Sequence, residues 1–139
     1  MGVQFNTSES SSLNSDYPKS MAVPNQYGFG GLSAHKVISA ASTNLDFIKK
    51  GGGSVYAINL HNNTSSDVFV RLFDKASAPV NADIPAAIFC IAADSYLDVS
   101  LPIGIAFKLG IGINLTTGSA NGNASAVGAG DVVGNIFWK

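Results

Sequence analysis

The chain has 139 residues, of which 46% are hydrophobic and 12% are charged, and its formal net charge is -1. This length suits one domain with a single core. A net charge this close to zero gives no electrostatic footprint for nucleic acids or anionic membranes, which bind clustered Lys and Arg, so neither partner is expected. Weak charge also leaves little repulsion between copies, which favours a component of a crowded assembly.

The start of the chain has neither a basic segment nor an apolar stretch of signal-peptide length. No run of about 18 apolar residues occurs anywhere. We therefore expect a protein that is not exported by that route and does not span a membrane. Cys90 is the only cysteine, and because it lies in the apolar run 86–93 we predict a small buried hydrophobic side chain there.

Residues 1–31 combine a serine cluster, two prolines and a closing group of glycines, without any helical or strand period. This composition predicts an extended or disordered N-terminal arm. Our hypothesis is that the arm docks on another protein surface. The apolar anchors expected in it are Val3, Phe5, Leu13, Tyr17, Met21, Val23, Tyr27 and Phe29.

The remainder, 32–139, alternates short apolar strands with turn residues and has no amphipathic segment typical of a helix. The predicted strands cover 35–41, 45–49, 54–61, 67–74, 86–92, 96–101, 103–109, 111–116 and 131–138. Short strands at this spacing predict an all-β fold, a single antiparallel β-sandwich of about eight strands, with a jelly roll as one form of it.

The connections follow turn chemistry. Three glycines at 51–53 predict a hairpin, and 62–65 predicts a tight turn. Longer loops are expected over 76–85 and over the small-residue stretch 118–130. Bends or bulges are predicted at Gly104, Gly110 and Gly112.

The strand 67–74 shows the clearest alternation. The face predicted for the core consists of Val68, Val70 and Leu72. The opposite face is a candidate subunit contact, because aromatic residues and Arg are enriched at interfaces; it consists of Phe69, Arg71 and Phe73. The alternative is that the two phenylalanines pack under a loop of the same chain.

A catalytic centre needs a nucleophile, a base and an orienting group. The available bases, His35 and His61, are expected near strand ends without an accompanying motif. Most aspartates also fall at strand ends, where Asp caps turns. His and Cys show no metal-ligand spacing, although a Ca²⁺ site from loop oxygens stays open. We predict no enzyme and no cofactor, with a hydrolase that uses His35 or His61 as the alternative.

Two stretches resemble a group of small β-sandwich structural proteins of tailed-bacteriophage virions. The first runs from the glycine turn through the strand above, and is carried by Gly53, Val55, Tyr56, Asn62, Asn63, Val68, Phe69, Val70, Arg71, Leu72, Phe73, Asp74, Lys75, Ala78, Pro79 and Pro85. The second closes the chain, and is carried by Ile105, Phe107, Gly110, Ile111, Ile113, Val133, Asn135, Ile136, Phe137 and Trp138. The resemblance covers 32–139 and rests on core and turn residues.

This resemblance implies a capsid decoration or cement protein that binds the major capsid protein lattice as a homo-oligomer, such as a trimer. Such a protein is made in the host cytoplasm and ends on the capsid surface of the virion. No nucleic acid or membrane partner is expected. The alternatives are a head-fibre or tail component, and a carbohydrate- or receptor-binding module whose aromatic candidates are Tyr56, Tyr96 and Trp138.

Overall fold

A computed structural model of the protein describes residues 31–139. The predicted arm, apart from Gly31, lies outside the described residues, and so do its expected anchors Val3, Phe5, Leu13, Tyr17, Met21, Val23, Tyr27 and Phe29. The strands all belong to one compact unit, Ser33–Lys139.

Residues 31–139 form eight strands and no helix, so no membrane-crossing helix occurs in this part of the chain. The strands are β1 (Ser33–Ile38), β2 (Asp46–Lys50), β3 (Gly53–Asn62), β4 (Val68–Asp74), β5 (Ala87–Ile91), β6 (Ser95–Phe107), β7 (Gly110–Thr116) and β8 (Val132–Trp138).

The strands are divided between two antiparallel sheets of four. Sheet 1 has the order β1-β8-β3-β6, and sheet 2 has the order β2-β7-β4-β5. The chain changes sheet at every connection except the one between β4 and β5. This is the strand order of an eight-stranded jelly roll, so the predicted antiparallel sandwich is confirmed in its jelly-roll form.

The core lies between the two sheets, because inward side chains alternate with outward ones along each strand. Val68, Val70 and Leu72 of β4 are fully buried in it, as the alternation predicts. Sheet 1 contributes Val37, Val55, Ile58, Leu60, Phe107, Val132 and Ile136, and sheet 2 adds Ile91, Ile111, Ile113 and Leu115.

The prediction of a hairpin at 51–53 is wrong. β2 pairs with β7 in sheet 2, whereas β3 pairs with β8 and β6 in sheet 1. The glycines therefore carry the chain from one sheet to the other. Gly51 adopts a φ of 85°, which the missing side chain permits.

The separate strands predicted at 96–101 and 103–109 are one long strand, β6. Its register with β3 shifts where Val55 pairs with Ile105 and Ala57 pairs with Ser100, so four residues of β6 lie opposite one residue of β3. The expected irregularity at Gly104 is thus part of a four-residue bulge inside a strand rather than a break between two strands.

Cys90 is exposed, against the prediction of a buried side chain. The run 86–93 forms the edge strand β5, in which Ile91 points into the core while Ile88 and Cys90 point outward. An apolar run can therefore form a one-sided strand as well as a fully buried one. Partial desolvation, and then the nearby Asp67, raise the pKa of the Cys90 thiol, which disfavours the reactive thiolate.

Candidate functional site

The outer face of sheet 2 is covered by two loops of the same chain. Pro79 in the loop 75–86 is buried and lies over Gly112 of β7, where an added Cβ would meet the proline ring at 2.8 Å. From the same loop, Asn81 accepts a hydrogen bond from the Asn114 amide at 3.0 Å. From the loop 117–131, the Asn123 carbonyl accepts one from Arg71 at 2.9 Å. This outer face is therefore a second interior layer.

Most of the side chains predicted on β4 to contact another subunit are instead buried within this chain. Arg71 is 0% exposed and Phe73 is 1% exposed, while Phe69 is partly buried. Phe73 thus follows the alternative of packing under a loop. Arg71 and Phe73 offer no surface to a partner while the loops are in place.

Arg71 is an unusual member of this layer because no carboxylate accompanies it. Its Nη1 donates to the Asn123 carbonyl and to Thr116 Oγ1 at 3.3 Å. Within the described residues, its Nε and Nη2 and the neighbouring Asn114 Oδ1 have no hydrogen-bond partner. Burial lowers the pKa of the Arg71 guanidinium. The residue costs desolvation energy that its hydrogen bonds only partly offset.

The outer face of sheet 1 carries no such cover from the described loops and presents three rows of side chains across its four strands. The strand registers place side by side, in the order β1-β8-β3-β6, Ile38, Val133, His61 and Tyr96, then Lys36, Asn135, Asn59 and Asp98, and then Ala34, Phe137, Ala57 and Ser100. Five residues of the first two rows are exposed: Ile38, Tyr96, Lys36, Asn59 and Asp98.

His61 and Tyr96 form a stacked pair in the first row. Their ring centroids are 4.2 Å apart, with an interplanar angle of 29°. Tyr96 is nevertheless 72% exposed, so the ring face turned away from His61 is open to solvent. The position predicted for His61, at the end of a strand beside Asn62, agrees with this location.

The other two aromatic candidates are placed differently. Tyr56 packs against Gly104, where an added Cβ would lie 3.0 Å from its ring. Trp138 is partly buried against the core, and Lys49 Nζ lies 5.9 Å from its ring centroid. Of the three, Tyr96 is the one whose side chain is largely exposed.

His35 lies at the other open part of the sandwich, the edge between β1 and β2. Its Nε2 is 3.4 Å from Asp46 Oδ2, beside a cleft of about 140 Å³ floored by Ile113 and Leu115. An imidazole next to a carboxylate is part of what hydrolytic catalysis needs. No Ser, Thr or Cys lines this cleft. The non-enzymatic interpretation stays a prediction.

Aspartates act in turns as expected. Asp74 accepts backbone hydrogen bonds from Leu109 at 2.7 Å and Lys108 at 3.1 Å, and these bonds lower its pKa. Asp131 accepts one from Gly128, and Asp67 one from Ala93. Asp98 is the exception, since it lies within β6 and makes no side-chain hydrogen bond with another described residue. Within residues 31–139, no group of three or more His, Cys, Asp or Glu could hold a metal ion.

The bulge of β6 forms an apolar protrusion, defined here as Leu101, Pro102 and Ile103. Ile103 is 92% exposed, and Pro102 is exposed as well. Gly104 ends the protrusion with a φ of 85° beneath the Tyr56 ring, so the bend has both its conformation and its packing fixed. The protrusion was not predicted from the sequence; the consecutive Pro102, Ile103 and Gly104 between two apolar stretches are the signal that could have indicated it.

No protein-family model, no curated protein and no solved structure matches this chain. The resemblance to virion proteins therefore stays an expectation drawn from the sequence.

Proposed function

We propose that this chain is a virion structural protein of a tailed bacteriophage, specifically a decoration or cement protein that binds the major capsid protein lattice and stabilises it. The resemblance of two stretches of the chain supports the choice of protein class. The structural observation that supports a docking role is the apolar protrusion of β6, in which Ile103 is 92% exposed.

The protrusion suits insertion into a partner's surface. Full burial of an Ile side chain stabilises a contact by roughly 1.5–3 kcal/mol. Gly104 and the Tyr56 ring hold the bend in place, so little conformational freedom is lost on docking. β6 is an edge strand, but Pro102 has no N–H to donate. The contact therefore forms through side chains rather than by addition of a strand.

The rest of the molecule fits repeated use on a lattice. The two-sheet sandwich is rigid, and its formal net charge of -1 causes little repulsion between copies. The proposal includes self-association into a homo-oligomer. In such an oligomer each docked copy holds the next at high effective concentration, so modest contacts combine. The predicted arm would add further contacts to the capsid.

The test uses capsids assembled from the major capsid protein of the same genome without this chain. The full chain should co-sediment with them and occupy fixed lattice positions in cryo-EM maps. Ile103→Ser should reduce occupancy at least about tenfold, because the loss of roughly 1.4 kcal/mol per contact gives that factor. Ile84→Ser is the matched control, since Ile84 is 75% exposed but lies in the loop 75–86.

Three outcomes bear on the proposal. Wild-type occupancy with a selective loss in Ile103→Ser would support it. Equal losses in both variants would show that the protrusion is not the docking element. Absence of the wild-type chain from capsids, together with its presence in purified tails or head fibres, would replace the capsid location by one of those alternatives.

A further inference from the structure

The open face of sheet 1 has the chemistry of a ligand site that the capsid role does not use. Its centre is the first two rows of side chains, where the stacked His61–Tyr96 pair adjoins Asn59 and Asp98 on the same two strands. Neighbouring rows are about 7 Å apart, since each strand residue rises about 3.4 Å. An aromatic ring and polar groups are thus within reach of one small molecule.

The aromatic part is prearranged. One face of the Tyr96 ring contacts His61 at a centroid distance of 4.2 Å, and the ring is still 72% exposed. Stacking restricts the tyrosine rotamer before any ligand arrives, so less side-chain entropy is lost on binding. A tyrosine in this state offers a firm, apolar platform to a flat ligand surface.

The polar part is uncommitted. The side chains of Asn59, Asp98, Asn135 and Lys36 make no hydrogen bond with any other described residue. By contrast, on the outer face of sheet 2 the polar side chains of Arg71, Asn114 and Thr116 all donate to groups in the covering loops or to each other. The second row therefore combines the Asp98 carboxylate, which accepts hydrogen bonds, with the amides of Asn59 and Asn135, which both donate and accept.

We propose that this face binds a carbohydrate, with a pyranose ring stacked on Tyr96 and its hydroxyl groups hydrogen-bonded by Asp98 and Asn59. A pyranose presents an apolar C–H face and a rim of hydroxyls that donate and accept, which matches the two parts of the site. The face carries one cation and one anion in its three rows, Lys36 and Asp98, so it lacks the positive charge that a nucleic acid requires. The inference is independent of the capsid proposal, because it uses none of the residues of the apolar protrusion.

The experiment begins with an array of immobilised mono- and oligosaccharides probed with the full chain. The strongest hit is then titrated in solution, with chemical shifts of the ¹⁵N-labelled protein as the readout. We expect shifts concentrated on His61, Tyr96, Asn59 and Asp98. Tyr96→Ala should weaken the affinity about tenfold or more, because the stacking contact is lost.

Two further variants separate the two parts of the site. Tyr96→Phe keeps the ring and should retain most of the affinity, whereas Asp98→Ala should lose about tenfold because sugar hydroxyls lose their acceptor. Ile103→Ser is the matched control: it changes an exposed side chain in the bulge of the same strand, outside the rows of the proposed site, and should bind the sugar normally.

The outcomes are decisive in both directions. A folded chain that binds no saccharide on the array, or that binds one equally well after Tyr96→Ala, overturns the inference. Loss of capsid occupancy in Tyr96→Ala, without any sugar binding, would instead assign the face to a protein partner. The capsid test can also fail while the sugar still binds, for example if Ile103→Ser and Ile84→Ser reduce capsid occupancy equally. In that case the carbohydrate inference stands and only the capsid role fails.

Discussion

The two outer faces of the sandwich come from strands with the same alternating pattern, yet one is an interior and the other is a surface. On β4 the outward residues Arg71 and Phe73 are fully buried; Arg71 donates to the loop 117–131, and Phe73 lies beside Gly112, which Pro79 of the loop 75–86 covers. On β6 the outward residues Tyr96 and Asp98 are exposed. The difference lies in the loops that follow the strands and not in the strands themselves.

The covered face shows what such a cover demands of the chain. Gly112 leaves room for the Pro79 ring, which an added Cβ would meet at 2.8 Å. Polar side chains beneath the loops need partners, and most find them in loop backbone or amide groups. An exposed face has no such constraint, so its side chains are available for binding.

Truncation of Phe73 should give the largest difference between the faces. We expect Phe73→Ala to lower the free energy of unfolding by about 3–5 kcal/mol, because a fully buried aromatic ring is replaced by a cavity. Tyr96→Ala on the open face should cost less than about 1 kcal/mol. Urea unfolding of both variants measures the difference. Similar small losses would mean that the loops do not pack on sheet 2.

Enlarging Gly112 should have the next largest effect. Gly112→Ala places a methyl group against Pro79, so the loop 75–86 must shift, and we expect a loss of about 1–3 kcal/mol. Ala34→Val adds a larger group to the open face of β1 and should stay within about 0.5 kcal/mol of the wild type. If Gly112→Ala is as stable as Ala34→Val, the loop 75–86 can shift without lowering the free energy of unfolding.

Replacement of Arg71 tests whether its buried charge helps or harms the covered face. Arg71→Met keeps most of the side-chain length and loses the bonds to Asn123 and Thr116. It also removes a desolvated cation with two unpartnered nitrogens. These effects oppose each other, so we expect a change below about 1 kcal/mol. Arg71→Ala also creates a cavity and should lower the free energy of unfolding by more than Arg71→Met does. If Arg71→Met lowers it as much as Arg71→Ala does, the two effects do not cancel.

The sequence predicts the fold well because every second residue of a strand is apolar and faces the core, as Val68, Val70 and Leu72 do. It fails where long-range placement decides. The glycines at 51–53 suit a hairpin and a sheet-to-sheet crossing equally, and only strand pairing distinguishes them. The outward residues of β4 look like an interface until two distant loops cover them.

The candidate carbohydrate site illustrates the same limit. Alternation predicts that Tyr96 and Asp98 share a face, but their neighbours His61 and Asn59 come from β3, more than thirty residues earlier. Their grouping depends on strand order and register, which local patterns do not encode. Asp98 falls inside the predicted strand 96–101, but nothing in the local pattern indicates that it would lie beside Asn59.

The smallest expected effect concerns the fastening of the covering loop. Asp83 accepts hydrogen bonds from Lys75 Nζ at 2.6 Å and from the Val80 N–H at 2.8 Å, and the Lys75 bond is the main cause of its lowered pKa. Because the pKa of Asp83 is lower in the folded chain than its unfolded value of 3.8, the ionised carboxylate stabilises the folded state at pH values above 3.8. This stabilisation is lost as the pH falls through the lower pKa of the folded chain. Acid should therefore loosen the loop 75–86.

Amide hydrogen exchange of Val80 measures this loosening. As the pH falls below 3.8 and through the lower folded pKa of Asp83, protection of the Val80 amide should fall in the wild type, after correction for the intrinsic exchange rate. In Asp83→Asn it should be low throughout and independent of pH, because the amide neither titrates nor pairs with Lys75 as an ion. Asp74→Asn is the control, since the pKa of Asp74 is also lowered but its carboxylate binds the turn at Leu109. If the protection of the Val80 amide depends on pH equally in the wild type and in Asp83→Asn, another group fastens the loop. If the pH dependence is lost only in Asp83→Asn, the Asp83 carboxylate is the group that holds this loop over sheet 2, whereas no described loop covers the outer face of sheet 1.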